Sequence, residues 1–64
     1  MNTNNIFAYY LNTDAKLDAT LAYKTDYKST IIVEIARLDG SVLETRHFED
    51  GNAADRFAQR AIRR

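Results

Sequence analysis

The sequence predicts a small α+β protein, in which an antiparallel β-meander of three to four strands is packed by one C-terminal amphipathic helix. Two β-branched, apolar runs flank the pair Asp39-Gly40, the first half of the chain alternates apolar and polar residues, and the last segment repeats apolar residues at helical spacing. These are the periodicities of strands and of a helix. Because 64 residues suffice for one domain at most, we expect residues 1–64 to form a single compact unit.

The first two strands are predicted from "NIFAYYL" and from "AKLDATLAYK". The first is a short apolar run rich in aromatic residues, which strands favour. In the second, Leu17, Ala19 and Leu21 alternate with polar residues, the period of a strand with one solvated face. A helix is the alternative, because alanine and leucine are helix formers and Leu17 and Leu21 are four residues apart. The segment "TDYKS" then connects this element to the hairpin.

The strongest local signal is the hairpin between "STIIVEIAR" and "SVLETRHF", where Gly40 accepts the positive φ of a tight turn. Its register is open. A bulged loop at residues 38–40 places Ile35 opposite Leu43, whereas a two-residue turn places Ile35 opposite Glu44 and Val33 opposite Arg46. We favour the bulged loop, because it collects one apolar face. That face contains Ile31, Val33, Ile35, Leu43, Thr45 and His47.

The last segment predicts a helix of roughly three turns. Asp50 or Asn52 can cap its first turn, since both side chains accept hydrogen bonds from free backbone amides. The apolar residues that share one face are Ala54, Phe57, Ala58, Ala61 and Ile62. A helix this short is not stable alone, so we expect it to dock this face on the sheet.

Composition limits how so short a chain is stabilised and what it can bind. The absence of cysteine excludes disulfides and thiolate metal sites, and the single histidine cannot build a zinc site alone. A chain of this length buries only about 60% of its unfolded surface, so self-association as a homodimer is one way to supplement its core. We expect no cofactor and no metal.

Charge and hydropathy give no sign of a polyanion-binding field or of a membrane segment. Nine basic residues balance nine acidic ones, and no stretch approaches the ~18–20 apolar residues of a membrane span. The first residues lack the charged and apolar regions of a signal peptide. Together with the lack of cysteine, these features predict a cytoplasmic location.

The only arrangement that resembles a catalytic site is "RHFED". His47 could serve as a general base if Glu49 or Asp50 oriented its ring. In a strand, however, only His47 and Glu49 share a face, and the two serines, Ser29 and Ser41, lie beside turns. We interpret His47 as a histidine at the end of a strand.

Paired carboxylates are equally uninformative. Neither Asp14 with Asp18 nor Glu49 with Asp50 has flanking residues that would raise one pKa relative to the other. The turn "LDGS" lacks the glycine spacing of a phosphate-binding loop. We therefore predict that the protein is not an enzyme.

The tyrosines are the best indication of a binding surface. In a strand Tyr9 and Tyr10 point to opposite sides, and one helix covers only part of a four-stranded sheet. An uncovered face that carries tyrosine and Ile32 would form an apolar patch typical of interfaces. We predict protein binding by Tyr9, Tyr10, Tyr23 and Ile32; the alternative is that the tyrosines simply lie on the sheet with their hydroxyls in water.

The arginines of the last segment predict a basic rim. Arg56, Arg60 and Arg63 recur on one stripe of the helix, and Arg64 follows. Guanidinium groups match the geometry of phosphate, so this stripe could bind nucleic acid. It could equally be a solvated helix face or the rim of a protein interface.

In its size, its lack of cysteine and its lack of catalytic groups, this chain resembles the small inhibitors that phages and mobile elements deploy against host machinery, including anti-CRISPR proteins. The resemblance implies a rigid scaffold that binds a host protein by shape and charge. We therefore expect a protein-binding module or inhibitor, with a small nucleic-acid-binding protein as the alternative.

Overall fold

The computed structural model describes residues 5–24 and 27–63, and the side chains of all of these except residues 27 and 28. Its elements are β1 (Asn5–Asn12), β2 (Leu17–Lys24), β3 (Tyr27–Arg37), β4 (Val42–Phe48) and α1 (Gly51–Ile62). The strands form one antiparallel sheet in the order β1-β2-β3-β4, so each strand pairs with its neighbour in sequence. The predicted fold, a four-stranded meander packed by one C-terminal helix, is confirmed.

The segment before Lys24 is a strand rather than a helix. Leu17, Ala19 and Leu21 are buried on one side of β2, while the residues between them are only half-buried. A helix would have separated Ala19 from the two leucines, whereas a strand buries all three together. The strand is shorter than predicted, because residues 13–16 form the turn after β1, in which Lys16 has a φ of 59°.

The connection between β2 and β3 is also shorter than predicted. β3 already begins at Tyr27 and runs for 11 residues, so residues 27–29 belong to the strand and not to a linker. Residues 25 and 26 of the predicted connection lie outside the described part of the chain. The pairing of β2 with β3 is irregular between Tyr23 and Lys24, next to this connection.

The β3–β4 hairpin has the predicted loop. The amide of Arg37 donates to the carbonyl of Ser41 over 2.8 Å, and the amide of Gly40 donates to the carbonyl of Arg37 over 2.9 Å. Gly40 has a φ of 100°, which residues other than glycine adopt only under strain. The loop therefore consists of residues 38–40, closed by a glycine.

The favoured register holds only next to the loop; from Ile35 onwards the strands adopt the other register, so the prediction was wrong for the rest of the hairpin. Ala36 pairs with Val42, but the next pair is Ile35 with Glu44, because a bulge at Leu43 inserts one extra residue into β4. The predicted pairing of Ile35 with Leu43 does not occur. Leu43 is 46% exposed.

Contacts with α1 explain this register. The bulge turns Phe48 and Arg46 towards the helix in place of Thr45 and His47. The ring centroids of Phe48 and Phe57 are 5.5 Å apart, and the Arg46 guanidinium lies 5.1 Å from the centroid of Phe57. The Phe48 ring buries more apolar area against the helix than His47, which the other register would have placed there.

The core lies between α1 and one face of the sheet. Its buried residues are Leu17, Ala19, Leu21, Ile31, Val33, Ile35, Ala54, Ala58, Ala61 and Ile62. Of the two candidate caps, the structure uses Asp50, whose carboxylate accepts from the amide of Asn52 over 3.0 Å. Phe57 packs against the edge of this core and is partly exposed.

Two polar contacts hold the edge strand β1 against α1. The Tyr10 hydroxyl donates to Asp55, whose second oxygen accepts from the side chain of Gln59 over 2.7 Å. The side-chain amide of Asn12 donates to the carbonyl of Ile62 at the end of the helix. Both contacts join residues that are 45 or more positions apart in sequence, so they fix the docking of the helix rather than local structure.

Candidate functional site: the uncovered face of the sheet

The side of the sheet that α1 does not cover is called the open face. It contains every second residue of each strand, adjusted for the bulges at Phe7 and Leu43. Its residues are Ile6, Tyr9 and Leu11 in β1, Asp18, Thr20, Ala22 and Lys24 in β2, Ile32, Glu34 and Ala36 in β3, and Val42, Thr45 and His47 in β4. The bulge at Phe7 explains why Ile6 and Tyr9 share this face although they are three residues apart.

The strand register arranges these side chains, except Lys24, in three rows across the sheet. The apolar row is Ile6, Ala22, Ile32 and His47. The polar row is Tyr9, Thr20, Glu34 and Thr45, and the mixed row is Leu11, Asp18, Ala36 and Val42. One charged carboxylate, Glu34 or Asp18, lies in each of the last two rows, on an inner strand.

Large apolar side chains are exposed at both edges of the open face. Ile6 is 51% exposed and Leu11 51% in β1, and Val42 is 53% exposed in β4. Between them, Ile32 is half-buried and borders a shallow groove that Ile6 and Glu34 also line. The face is therefore apolar in its first row and at its outer corners, without a helix to cover it.

Two of the four predicted protein-binding residues lie on the open face. Tyr9 is 55% exposed, and its hydroxyl donates to the carboxylate of Asp18 over 3.0 Å. This hydrogen bond raises the pKa of Tyr9, because donation requires the phenolic proton. Ile32 lies one row away, in the centre of the sheet.

The other two predicted residues point to the helix side, so the four do not form one surface. The Tyr10 hydroxyl binds Asp55, which raises the pKa of Tyr10 in the same way. Tyr23 packs against the core and stacks on Phe7, with 4.6 Å between ring centroids. The sequence analysis did not identify Ile6, Leu11 and Val42 as surface residues of this face. Ile6 and Leu11 could have been assigned to it from the alternation in β1 only if the bulge at Phe7 had been known.

The predicted arginine stripe does form one surface. Arg56, Arg60 and Arg63 are exposed on the outer side of α1 and line a shallow groove together with Gln59, which the sequence did not indicate. Within the described residues none of the three lies within ion-pair distance of a carboxylate, whereas Arg46 pairs with Glu44 over 2.7 Å. Arg64 lies outside the described residues.

The groups that resembled catalytic residues either lie exposed or make structural hydrogen bonds. His47 is exposed at the end of the apolar row, while the Asp50 carboxylate caps the helix. Asp18 accepts the Tyr9 hydroxyl, and Asp39 accepts the amide of Ser41 over 2.9 Å, which lowers the pKa of Asp39. Within residues 5–24 and 27–63, no group of three or more histidine or acidic side chains could hold a metal ion.

Comparison with protein-family models, curated proteins and solved structures finds no match for this chain. In the described part of the chain the helix is α1, and its twelve residues are too few to cross a membrane. The features that bear on function are therefore the two exposed surfaces, the open face and the arginine groove of α1.

Proposed function

We propose that this chain is a small non-enzymatic protein-binding module, which docks its partner on the open face. One observation carries the proposal: Ile6, Leu11 and Val42, on strands at opposite edges, are each about half exposed on the side of the sheet that no helix covers. Exposed apolar groups that lie together on one face are typical of interaction sites, because their burial against a partner is favourable whereas their exposure does not stabilise the isolated fold.

The size of the open face supports this proposal. Strands lie about 4.8 Å apart and rise about 3.3 Å per residue, so four strands of about seven residues present a face of about 19 by 23 Å. Its projected area is about 440 Å², about half of what one partner contributes to an interface of standard size. A partner of about 800 Å² per side would extend from this face onto its polar rim.

An inhibitor that acts on a host protein, of the kind that phages and mobile elements deploy, is the form of this function that we favour. A single rigid domain of 64 residues with one apolar face suits binding by shape rather than by chemistry. We place this activity in the cytoplasm, because the chain has no cysteine and disulfides are rare in cytoplasmic proteins.

Capture from a lysate of the host tests the proposal with a matched pair of variants. Ile6→Lys introduces a charge on the open face, and Leu38→Lys introduces the same charge in the hairpin loop, at a site 46% exposed against 51% for Ile6. We expect the wild type and Leu38→Lys to retain a protein after nuclease treatment, and Ile6→Lys to lose it. Equal capture by two folded variants would contradict a role for the open face.

The arginine groove supports a second candidate function, the binding of nucleic acid. Three exposed guanidinium groups without an acidic partner among the described residues are available to contact phosphates. If Arg56, Arg60 and Arg63 each contact one phosphate, the logarithm of the affinity falls with that of the salt concentration with a slope of about −2.7.

Fluorescence anisotropy with a labelled DNA duplex measures this slope. Arg60→Gln should reduce its magnitude by about 1, while Arg37→Gln, which removes an exposed arginine away from the groove, should leave it unchanged. An affinity that does not change between low and moderate salt would contradict nucleic-acid binding.

A further inference from the structure

We propose that a second copy of this chain occupies the open face, so that two sheets pack against each other about a two-fold axis parallel to the strands, between β2 and β3. The dimer would have four layers, helix, sheet, sheet and helix. This inference rests on the proposed function, because it assigns an occupant to the same docking face.

The composition of the core supports a second layer. Of the ten buried residues in the described part of the chain, four are alanines, and within that part a helix covers one side of the sheet. Domains of this size have little core to offset the entropy of folding, so burial of further apolar side chains of the sheet would add to their stability. Packing of the apolar row and the corners against a second copy would bury side chains that α1 cannot reach.

The rows of the open face are complementary to themselves in this orientation. An axis parallel to the strands leaves each row facing the same row of the second copy, with β1 over β4 and β2 over β3. Ile6 then faces His47 of the second copy, and Ala22 faces Ile32. In the mixed row Leu11 faces Val42, so the exposed leucine and valine at opposite edges cover each other.

The charges of the open face select this axis. With β2 over β3, the Glu34 carboxylate faces Thr20, and the Asp18 carboxylate faces the small Ala36. An axis across the strands would place each strand over itself and reverse the order of the rows, so that Glu34 would face Glu34 of the second copy. Two carboxylates directly opposed across an interface repel each other, which disfavours that arrangement.

The area of the face sets the strength of the dimer. Two faces of about 440 Å² bury about 900 Å² in total, at the low end of specific interfaces. We therefore expect a reversible dimer with a Kd of about micromolar or weaker. Another protein that binds the open face would compete with the second copy. Self-association would therefore reduce the apparent affinity of that protein for this chain.

Sedimentation over a range of concentrations gives the first test. The mass should rise from 7.3 kDa towards twice that value as concentration increases. Ile6→Lys and Ile32→Lys should each weaken the dimer at least tenfold, while Leu38→Lys leaves it unchanged. Two substitutions are used because Ile32 is half-buried and its replacement can impair folding, whereas Ile6 is half exposed.

Nuclear Overhauser effects between the Ile6 methyl groups and the His47 ring test the axis. These residues lie at opposite ends of the apolar row, three inter-strand spacings or about 14 Å apart in one chain, too far for a direct transfer. In a sample that mixes labelled and unlabelled chains, a transfer between them supports the proposed dimer. A transfer from Ile6 to Leu11 of the second copy instead would overturn it.

The outcomes separate this inference from the proposed function. If the wild type stays monomeric at millimolar concentration while Ile6→Lys loses a captured host protein, the second copy is excluded and the binding function stands. If a dimer forms that neither Ile6→Lys nor Ile32→Lys weakens, the second copy binds elsewhere and the inference fails. If, in addition, Ile6→Lys captures host protein as the wild type does, the proposed function fails as well.

Discussion

The covered face and the open face are two sides of the same four strands, and they differ both in cover and in composition. On the covered face Leu21 and Val33 have no exposed surface, whereas Leu11 and Val42 on the open face are 51% and 53% exposed. Leucine and valine occur on both sides, but on β2 and β3 the buried residues of the covered face are all apolar, whereas the open face also carries Asp18, Thr20 and Glu34. The comparison shows that α1 covers the more apolar side of the inner strands.

The cover is also uneven along the sheet. All buried strand residues belong to β2 and β3, while β1 and β4 contribute half-buried side chains such as Ala8, Tyr10 and Phe48. One helix is about 10 Å wide and so reaches about two strands. The edge strands are instead held by specific contacts, Tyr10 with Asp55 in β1 and Phe48 with Phe57 in β4.

The largest expected difference between the two faces is in the stability lost when a leucine on each is replaced by alanine. Leu21→Ala removes a fully buried side chain and should lower the free energy of unfolding by about 2–5 kcal/mol. Leu11→Ala removes a half-exposed one and should cost less than about 1 kcal/mol. Because a domain of this length is stabilised by roughly 3–10 kcal/mol, Leu21→Ala should be close to unfolded.

Urea denaturation of dilute protein, below the concentration of self-association, measures both values. Similar losses for the two variants would mean that the open face is packed as tightly as the covered one, contrary to the structure.

A smaller difference is expected between the two glycines. A Cβ at Gly51 would lie 3.7 Å from Cδ1 of Ile31 on the covered face, an ordinary contact, so Gly51→Ala should stabilise the protein by about 0.5 kcal/mol through helix propensity and a more restricted unfolded chain. A Cβ at Gly40 would meet nothing, but its φ of 100° is strained for alanine, so Gly40→Ala should cost about 1 kcal/mol. Thermal unfolding of both variants should give shifts of opposite sign.

The smallest effect concerns the two adjacent tyrosines. Tyr10→Phe removes the hydroxyl that binds Asp55 on the covered face, and Tyr9→Phe removes the one that binds Asp18 on the open face. Because Tyr10 is the less exposed and joins two distant elements, its replacement should lower the unfolding temperature more.

Both hydrogen bonds raise the tyrosine pKa, so each stabilises the fold fully below about pH 10 and is lost as pH rises through the folded-state value. The difference between wild type and each Phe variant should therefore disappear at alkaline pH. Denaturation curves at neutral and alkaline pH test this, and a difference that grows with pH would contradict the assignment.

The hairpin loop and the helix could be predicted because their signals are local. Asp39-Gly40 identifies a turn by the backbone freedom of glycine alone, and the spacing of Ala54, Ala58 and Ala61 identifies the buried stripe of α1. The arginine groove follows from the same period. Each of these inferences needs no knowledge of what the element packs against.

Which residues of β1 and β4 point to each face could not be predicted, because this depends on bulges and on contacts between elements rather than on local signals. Bulges at Phe7 and Leu43 each shift which residues point to the open face, and the Leu43 bulge is what turns Phe48 towards Phe57 of the helix, a contact outside the hairpin. Tyr10 likewise binds Asp55, 45 positions along the chain. Alternation assigned side chains to two faces, but only the docked helix determines which face is covered.

The order of the elements has a consequence for a fragment of the chain. The twelve residues of α1 follow all four strands, so cleavage after Asp50 would leave a complete meander without its cover. Both faces of that sheet would be bare. The fragment would expose Leu21 and Val33, which the intact fold buries completely, and would be prone to aggregate through them.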